Sequence, residues 1–366
     1  MSKFTEQLNK LAKVEENYPL SKLTTFKIGG PAKYFLEVEK VDNLPEIFNI
    51  LRTEKIPYYI LGRGANVLAS DQGFDGAIIK ITAQDWEVFK ETDLEVWLRV
   101  SAGLNWDDFV LTCVNNQWWG VENMSFVPGT VGGVVAVSAA CYGQQVSDVV
   151  TKVKAWDIVN NKFIELSAQD CDFQYHSSIF NQTDVSQYFI TAVEFKFKKN
   201  LKPQINYPDV IEYFKDKKII EPTITQVREA LYFIRSNKLP DYHKLGSAGS
   251  YFKNIYLSSK DLSGFLDKVE KNFGSEYKEQ AEQICSKFSS DEVCKIPTGF
   301  VLDKLLGFKG KQMGGARVYD KQALIIVNQT GQATAEDVIM LVSYIKQQVR
   351  DKLGIQLEEE VRYLGF

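Results

Sequence analysis

Ser250 lies in the stretch GSAGSYFKNI, residues 246–255, between a glycine-rich approach and the aromatic pair Tyr251 and Phe252, with Lys253 and Asn254 following. Such a hydroxyl either caps a turn ahead of a strand, since glycine permits positive φ and serine bonds its local backbone, or delivers a proton. Two glycine-rich loops carry a second kind of chemistry. ILGRGANVL, residues 60–68, runs a short apolar strand into Gly62, Arg63, Gly64, Ala65, Asn66 and Val67. VPGTVGGVVAVSAACYG, residues 127–143, offers Pro128, Gly129, Thr130, Gly132, Gly133, Ser138 and Gly143. Without Cβ obstruction, backbone N–H groups can cradle phosphate oxygens. The first loop is not a P-loop, because GK[ST] is missing, and it lacks the third glycine of the dinucleotide fingerprint. Two such loops in one domain fit a long pyrophosphate-bearing ligand lying against bare backbone. Two tight turns beside close-packed strands fit the same spacing.

The elements that must position these residues are of mixed type. YYILG, GAIIKI, EVWLRVSAG and ITAVEFKFKK read as strands. In the last, Val193, Phe195 and Phe197 alternate with Glu194, Lys196 and Lys198, which predicts a half-buried strand. Short helical patterns are interspersed, so the region is α+β rather than a regular strand–helix alternation. After KLPD, residues 238–241, the texture changes. DLSGFLDKVEKNFG sets Leu262, Phe265, Leu266, Val269 and Phe273 on one helical face. ATAEDVIMLVSYIKQQVRDKLGI aligns Val338, Leu341, Val342, Ile345, Val349 and Leu353. It opens with Thr334 and Asp337 at capping-box spacing and closes at Gly354.

With 366 residues, 45% hydrophobic and 13% aromatic, the chain can bury a large core in two or three domains. A net charge of −4 with lysines spread along the chain argues against nucleic acid or an anionic membrane as main partner and for a small ligand. The N-terminal MSKFTEQLNKLAKVEENY lacks the apolar core of a signal peptide, and no later run approaches a membrane span, so a cytoplasmic location is expected. Cysteines 113, 141, 171, 285 and 294 are odd in number without CxxC pairing, which suggests neither a disulfide framework nor a zinc site. With only His176 and His243 present, no metal site and no Ser-His-Asp triad is expected.

Seven stretches in order resemble one family, the UDP-N-acetylenolpyruvoylglucosamine reductases of bacterial cell-wall synthesis: LTTFKIGGPAKYFLEV, YYILGRGANVL, GVENMSFVPGTVGG, RSNKLPD, GSAGSYFKN, KGKQMGGARVYDKQALIIVN and LEEEVRYLG. The resemblance implies an α+β, two-subdomain FAD-binding fold of the vanillyl-alcohol-oxidase (PCMH-like) type with a third α+β substrate-binding domain. The first FAD subdomain would be residues 1–70, with 355–366 returning to it; the second 71–238; and the substrate domain 239–354. It implies a flavoprotein oxidoreductase, monomeric, that reduces UDP-N-acetylglucosamine enolpyruvate to UDP-N-acetylmuramate with NADPH. That reaction serves peptidoglycan synthesis and hence cell shape and division. FAD would lie on the two glycine loops. In the family, NADPH reduces the flavin, and the flavin then reduces the enolpyruvyl double bond while an enzyme acid protonates the adjacent carbon. Ser250 aligns with that acid, and Glu360 with a glutamate that assists at the developing carboxylate. Serine is a poor acid in water, so the site must stabilise the anionic intermediate, and the glutamate acts more readily if burial keeps it protonated. Glu358 and Glu359 compete for the glutamate's place. A strand would put Glu358 and Glu360 on one face and Glu359 on the other, the family pattern selects the acid before VR, and a solvated acidic patch is the plain alternative. Arg235, Lys238, Asn254 and Gln312 align with residues that hold the sugar nucleotide and its acidic groups, and Tyr207 with the tyrosine of a substrate-closing loop found in one subgroup.

The pattern departs at the chemistry. YHSSIFN stands where the family reads Y-R-x-S-x-F-K, so His176 replaces an arginine that contacts flavin and substrate carboxylate, and Asn181 replaces a lysine. A largely neutral imidazole lacks the bidentate fork, and losing such a charge-assisted contact costs about 1.5–3 kcal/mol. Ala65 stands for a serine, Ser138 for an asparagine, Ala140 for a glycine and Cys141 for an alanine. The added Cβ atoms would crowd a flavin, and Cys141 offers a thiol for covalent attachment or redox chemistry. Besides the reductase, the sequence admits a paralogous flavoenzyme for another nucleotide-linked or acidic substrate, and a silent FAD- or nucleotide-sugar-binding protein.

Overall fold

Phe74–Ile81 is buried without interruption from Gly76 to Ile79, whereas Glu95–Ser101 buries every second residue. The contrast separates a strand covered on both faces in a parallel arrangement from an antiparallel strand with one face in water. The computed structural model describes residues 3–182, 187–203, 205–288 and 293–366, and its strand pairings match that burial. Phe74–Ile81 pairs in parallel with Pro31–Val38 and Tyr58–Ile60, and Glu95–Ser101 pairs antiparallel with Tyr188–Lys199. Among the described residues no helix is long and apolar enough to cross a membrane.

The chain forms two compact units. The first comprises Met1–Tyr18, Ala32–Arg63 and Phe74–Asn237. It holds a four-stranded sheet and a six-stranded antiparallel sheet whose central member is Tyr188–Lys199. The alternation expected there is kept for Val193, Phe195 and Phe197, but Glu194 is not on a wet face. It is 7% exposed, directly opposite Arg99, which donates to its carboxylate at 3.1 Å, with Lys154 at 3.7 Å. An interior strand covers a charged side chain that the sequence pattern alone assigns to solvent, and the paired cations make that burial tolerable. Two helices, Pro208–Asp216 and Ile224–Lys238, share a small core of their own built on Val210, Phe214, Val227, Ala230, Leu231 and Ile234.

The second unit comprises Pro19–Pro31, Gly64–Gly73 and Lys238–Phe366. Its largest sheet orders Gly246–Ser250, Ile325–Asn328, Ala316–Val318 and Gln312–Met313. The helix Ala335–Leu353 has both reciprocal bonds of a capping box between Thr334 and Asp337, ends on Gly354 at φ 72°, and buries all six residues of its apolar stripe. Asp71 adds to its start, accepting from the N–H of Ala335 at 2.9 Å and of Glu336 at 3.2 Å. One expectation fails here. Cys285, on the helix Ser275–Phe288, is disulfide-bonded to Cys294, on the strand Val293–Ile296, with Cα atoms 5.3 Å apart. Spacing gives no hint of the pair, because only the packing of that strand against that helix brings the thiols together.

Candidate active site

In the second unit the structure joins Ser250 and Glu360 through their neighbours. Ser250 is exposed at the end of its strand, opposite Ile325. Immediately after it, the Tyr251 carbonyl accepts the N–H of Glu360 at 2.9 Å, Phe252 bridges Glu359, and the Lys253 N–H donates to the Glu358 carbonyl at 3.0 Å. The strand alternation expected of the glutamates is not kept, because the regular strand begins only at Arg362 and Glu358 is exposed while Glu360 is not. Their partners sort them instead. Glu358 is exposed and paired with Lys253 at 3.2 Å, while Glu359 is paired with Lys346 of the long helix at 2.8 Å. Glu360 is half-buried, and its burial pushes the carboxyl from 4.5 up to about 7 against an opposing pull from Lys253. A carboxylic acid in that range holds its proton near neutrality and can donate it in a hydrogen bond. Under the site, the buried Tyr251 hydroxyl lies 3.0 Å from that of Tyr363, and burial drives the Tyr251 phenol far above its usual range.

The other expected residues of this unit are anchored to different degrees. Asn254 Oδ1 accepts from the N–H of Thr298 at 3.3 Å, and the buried Thr298 hydroxyl donates to the Lys253 carbonyl at 2.6 Å, so Asn254 follows Ser250 on a pinned segment. Gln312 is exposed on its short strand and donates to the Gly314 carbonyl at 2.9 Å; Lys238 is exposed. Gly64 sits at φ 60°, and a Cβ there would lie 2.5 Å from the Leu23 carbonyl oxygen, so only glycine fits this turn. Ala65 and Asn66 are half-buried, and Val67 begins the buried strand Val67–Ala69. The Asn66 amide donates to the Glu360 carbonyl at 3.0 Å.

In the first unit, the beginning of one glycine loop meets the other. A Cβ on Gly62 would approach Thr130 Oγ1 to 3.0 Å, and that oxygen accepts from the N–H of Gly133 at 3.2 Å. Among the described residues, neither the N–H of Gly62 nor that of Arg63 donates to a backbone carbonyl. A bare, glycine-lined stretch with undonated N–H groups suits the oxygens of a diphosphate and so fits FAD. Pro128 and Gly129 lead into Thr130, with the Gly129 carbonyl accepting from Trp106 N–H at 3.1 Å. Gly132 packs its N–H on Ala102. Ser138, fully buried, accepts from the Gln145 amide at 2.8 Å, and the same amide reaches the Gln174 carbonyl at 3.1 Å. Ser178 ties the YHSSIFN segment to the same loop by donating to the Ala136 carbonyl at 2.5 Å.

His176 has φ 57° and packs edge-on to Tyr175 at 4.3 Å, while its carbonyl accepts from the Asn181 amide at 3.2 Å. Tyr207 precedes the helix Pro208–Asp216, and its ring lies 5.2 Å from that of Tyr142 and against Gly143. Arg235 donates to the Cys141 sulfur at 2.8 Å and to the Phe126 carbonyl at 3.2 Å, with its guanidinium 5.9 Å from the Tyr142 ring centre. Burial raises the Cys141 thiol and Arg235 offsets part of the rise, so the sulfur is an acceptor for arginine more than a ready nucleophile. Sequence reasoning missed Thr298 and Gln145, which bond Asn254 and Ser138, and Lys346 and Tyr363, which hold the neighbouring Glu359 and Tyr251. Lys253 and Tyr363 did lie inside the stretches GSYFKN and RYLG that carry the resemblance.

The family described as UDP-N-acetylenolpyruvoylglucosamine reductase, C-terminal domain, matches residues 240–364, and the family described as FAD binding domain matches residues 32–167. A protein of Flavobacterium johnsoniae named UDP-N-acetylenolpyruvoylglucosamine reductase is 34% identical over 96% of this chain and 99% of its own length. One of Bacteroides fragilis with the same name is 33% identical over 96% of this chain and its whole length. The crystal structure of the Thermus caldophilus enzyme of that name superposes with a TM-score of 0.64 at 22% identity, covering 96% of this chain and 98% of the other. The fold is thus the α+β FAD-binding architecture with a further C-terminal α+β region.

Proposed function

The chain belongs to the UDP-N-acetylenolpyruvoylglucosamine reductase family, and from that membership we propose that it reduces UDP-N-acetylglucosamine enolpyruvate to UDP-N-acetylmuramate with NADPH. The observation that carries the reading onto this chain's own residues is the seat of Glu360. It is a half-buried carboxyl lifted to about 7, bonded through its N–H to the residue next to Ser250.

FAD, when bound, relays two electrons from NADPH to the enolpyruvyl double bond. Gly62, Arg63, Gly64, Ala65, Asn66 and Val67 form its first loop, and Pro128, Gly129, Thr130, Gly132, Gly133, Ser138 and Gly143 its second. Ser250 delivers a proton to the reacting carbon from an exposed strand end whose flanks are pinned. Glu360, protonated at pH 7 or below, donates a hydrogen bond to the substrate carboxylate as negative charge develops there, which favours the transition state over the ground state. Arg235, held by Cys141 and the Phe126 carbonyl, joins Lys238, Asn254 and Gln312 in holding the diphosphate and carboxylate. Tyr207, just ahead of a helix pair with its own small core, closes over the sugar. His176 takes the place of the family arginine at the enolpyruvyl carboxylate. The enzyme acts in the cytoplasm as a monomer, with residues 1–70 and 355–366, 71–238 and 239–354 as its functional divisions.

The test is anaerobic. The purified protein's flavin spectrum is recorded, bleached with NADPH, and challenged with the enolpyruvyl sugar. Return of the oxidised spectrum with one equivalent of product supports the reading. Bleaching without return refutes this substrate, and a protein that takes up no FAD refutes the flavoenzyme.

A further inference from the structure

We propose that Asn66 is the positioning residue of Glu360, so that the first glycine loop itself presents the acid. The Asn66 Nδ2 donates to the Glu360 carbonyl at 3.0 Å, and the Asn66 main-chain carbonyl accepts the N–H of Arg362, also at 3.0 Å. The two bonds bracket Val361, which is buried, and lead into Arg362–Leu364, paired in parallel with Val67–Ala69 so that Arg362 lies opposite Val67. From the other side, Tyr251 takes the N–H of Glu360. Both main-chain groups of the acid are therefore held, one by the segment that carries Ser250 and one by the glycine loop. With the main chain fixed at both ends, the carboxyl leaves its half-buried seat only by rotating its own side chain.

The charged and titratable groups around that seat come from three segments. Lys253 and Tyr251 lie beside Ser250; Glu358, Glu359, Arg362 and Tyr363 flank Glu360; and Lys346 of the long helix neutralises Glu359. Removing the Asn66 amide alters none of these charges. It frees the Glu360 carbonyl and lets the segment shift outward, toward water. The catalytic consequence rests on the reductase reading, whereas the positioning rests on the bonds alone.

The experiment titrates the full-length protein labelled with ¹³C-carboxyl glutamate, with the Glu360 signal assigned by its disappearance in Glu360→Gln. The wild-type midpoint is expected near 7. In Asn66→Ala it should fall by about one pH unit or more toward the ordinary carboxyl range, and Asn66→Ser, which keeps a hydroxyl donor, should recover most of the shift. Far-UV circular dichroism checks folding, and Asn66→Leu, of similar size and without a donor, is read in place of an alanine variant that does not fold. A donor-less variant that folds and titrates like wild type overturns the proposal. In the anaerobic assay, FAD-loaded Asn66→Ala should restore the oxidised spectrum at least about tenfold more slowly than wild type, and an equal rate overturns the coupling to chemistry. Failure of the wild type itself to respond to the enolpyruvyl sugar refutes the reductase reading, while the titration still decides the role of Asn66.

Discussion

Replacing Glu360 by glutamine removes one ionisable group from a half-buried seat while keeping its shape, and the pH dependence of the effect can be worked out in advance. The folded carboxyl titrates at about 7 instead of 4.5 because burial penalises its charge more than Lys253 relieves it. Between those two values the folded chain keeps a proton that the unfolded chain has given up. The unfolded state therefore binds fewer protons, and stability falls as pH rises through that window. At about 1.4 kcal/mol per pH unit, the wild type loses about 3 kcal/mol between pH 4.5 and 7, with little further change from this group above 7. Glutamine carries no such dependence. Urea unfolding of both proteins at pH 4, 5.5, 7 and 8.5 should show a stability gap that is flat in acid. It should then move by about 3 kcal/mol in favour of the variant and flatten again, a displacement of roughly 1 M in midpoint for an m-value of about 3 kcal/mol/M. A gap that does not move with pH, or that moves in favour of the wild type, would mean that Glu360 is ionised in the folded protein. The hydrogen-bond donor at the developing carboxylate would then have to be sought elsewhere.

Ser250→Ala should load FAD and be bleached by NADPH, yet return the oxidised spectrum about 10²–10⁴-fold more slowly with the enolpyruvyl sugar; turnover at the wild-type rate removes Ser250 from the proton-donor role. His176→Arg should give a kcat/KM for that sugar equal to wild type or up to about one to two factors of ten higher, since it restores a charge-assisted fork; a collapse of activity would show a site rebuilt around histidine. Gly64→Ala places a Cβ 2.5 Å from the Leu23 carbonyl oxygen at a φ of 60°. It should cost about 2 kcal/mol or more in urea unfolding and lower FAD content, and a variant with unchanged stability contradicts the crowding at this turn.

Much of the scaffold could be read from the sequence because its signals are local. The capping box at Thr334 and Asp337, the αL glycine at 354 and the six-residue apolar stripe between them all act within one helix, and the structure keeps each. Ser250 and Glu360 could be proposed from the sequence for a different reason, since they sit inside stretches long enough to resemble a family. What could not be read is whatever depends on a partner far away in the chain. Three consecutive glutamates look equivalent in sequence, and only Lys253, Lys346 and burial give each a different electrostatic state. Glu194 looks solvent-facing until Arg99 lies opposite it, and Cys285 looks unpaired until the chain returns at Cys294. Arg235 reads as a substrate-holding cation, and only the structure shows that Cys141 and the Phe126 carbonyl fix its guanidinium.

The same non-locality changes the meaning of the departures at His176 and Asn181. Taken along the sequence they are two separate losses of positive charge. In the structure they form one turn: the Asn181 amide donates to the His176 carbonyl at 3.2 Å, and its oxygen accepts the N–H of Ser178 at 2.8 Å. Ser178 in turn fixes the turn to the second glycine loop through the Ala136 carbonyl. A lysine at 181 has no acceptor and would leave the Ser178 N–H without this partner, so restoring that residue alone would loosen the loop it was meant to serve. The side chain of residue 176 takes no part in those main-chain bonds, and its φ of 57° is a conformation that histidine tolerates and arginine enters at modest cost. Arginine at 176 therefore leaves these main-chain bonds in place, whereas lysine at 181 removes one of them. The two substitutions differ in kind: one changes the side chain that the turn presents, and the other holds the main chain of the turn itself.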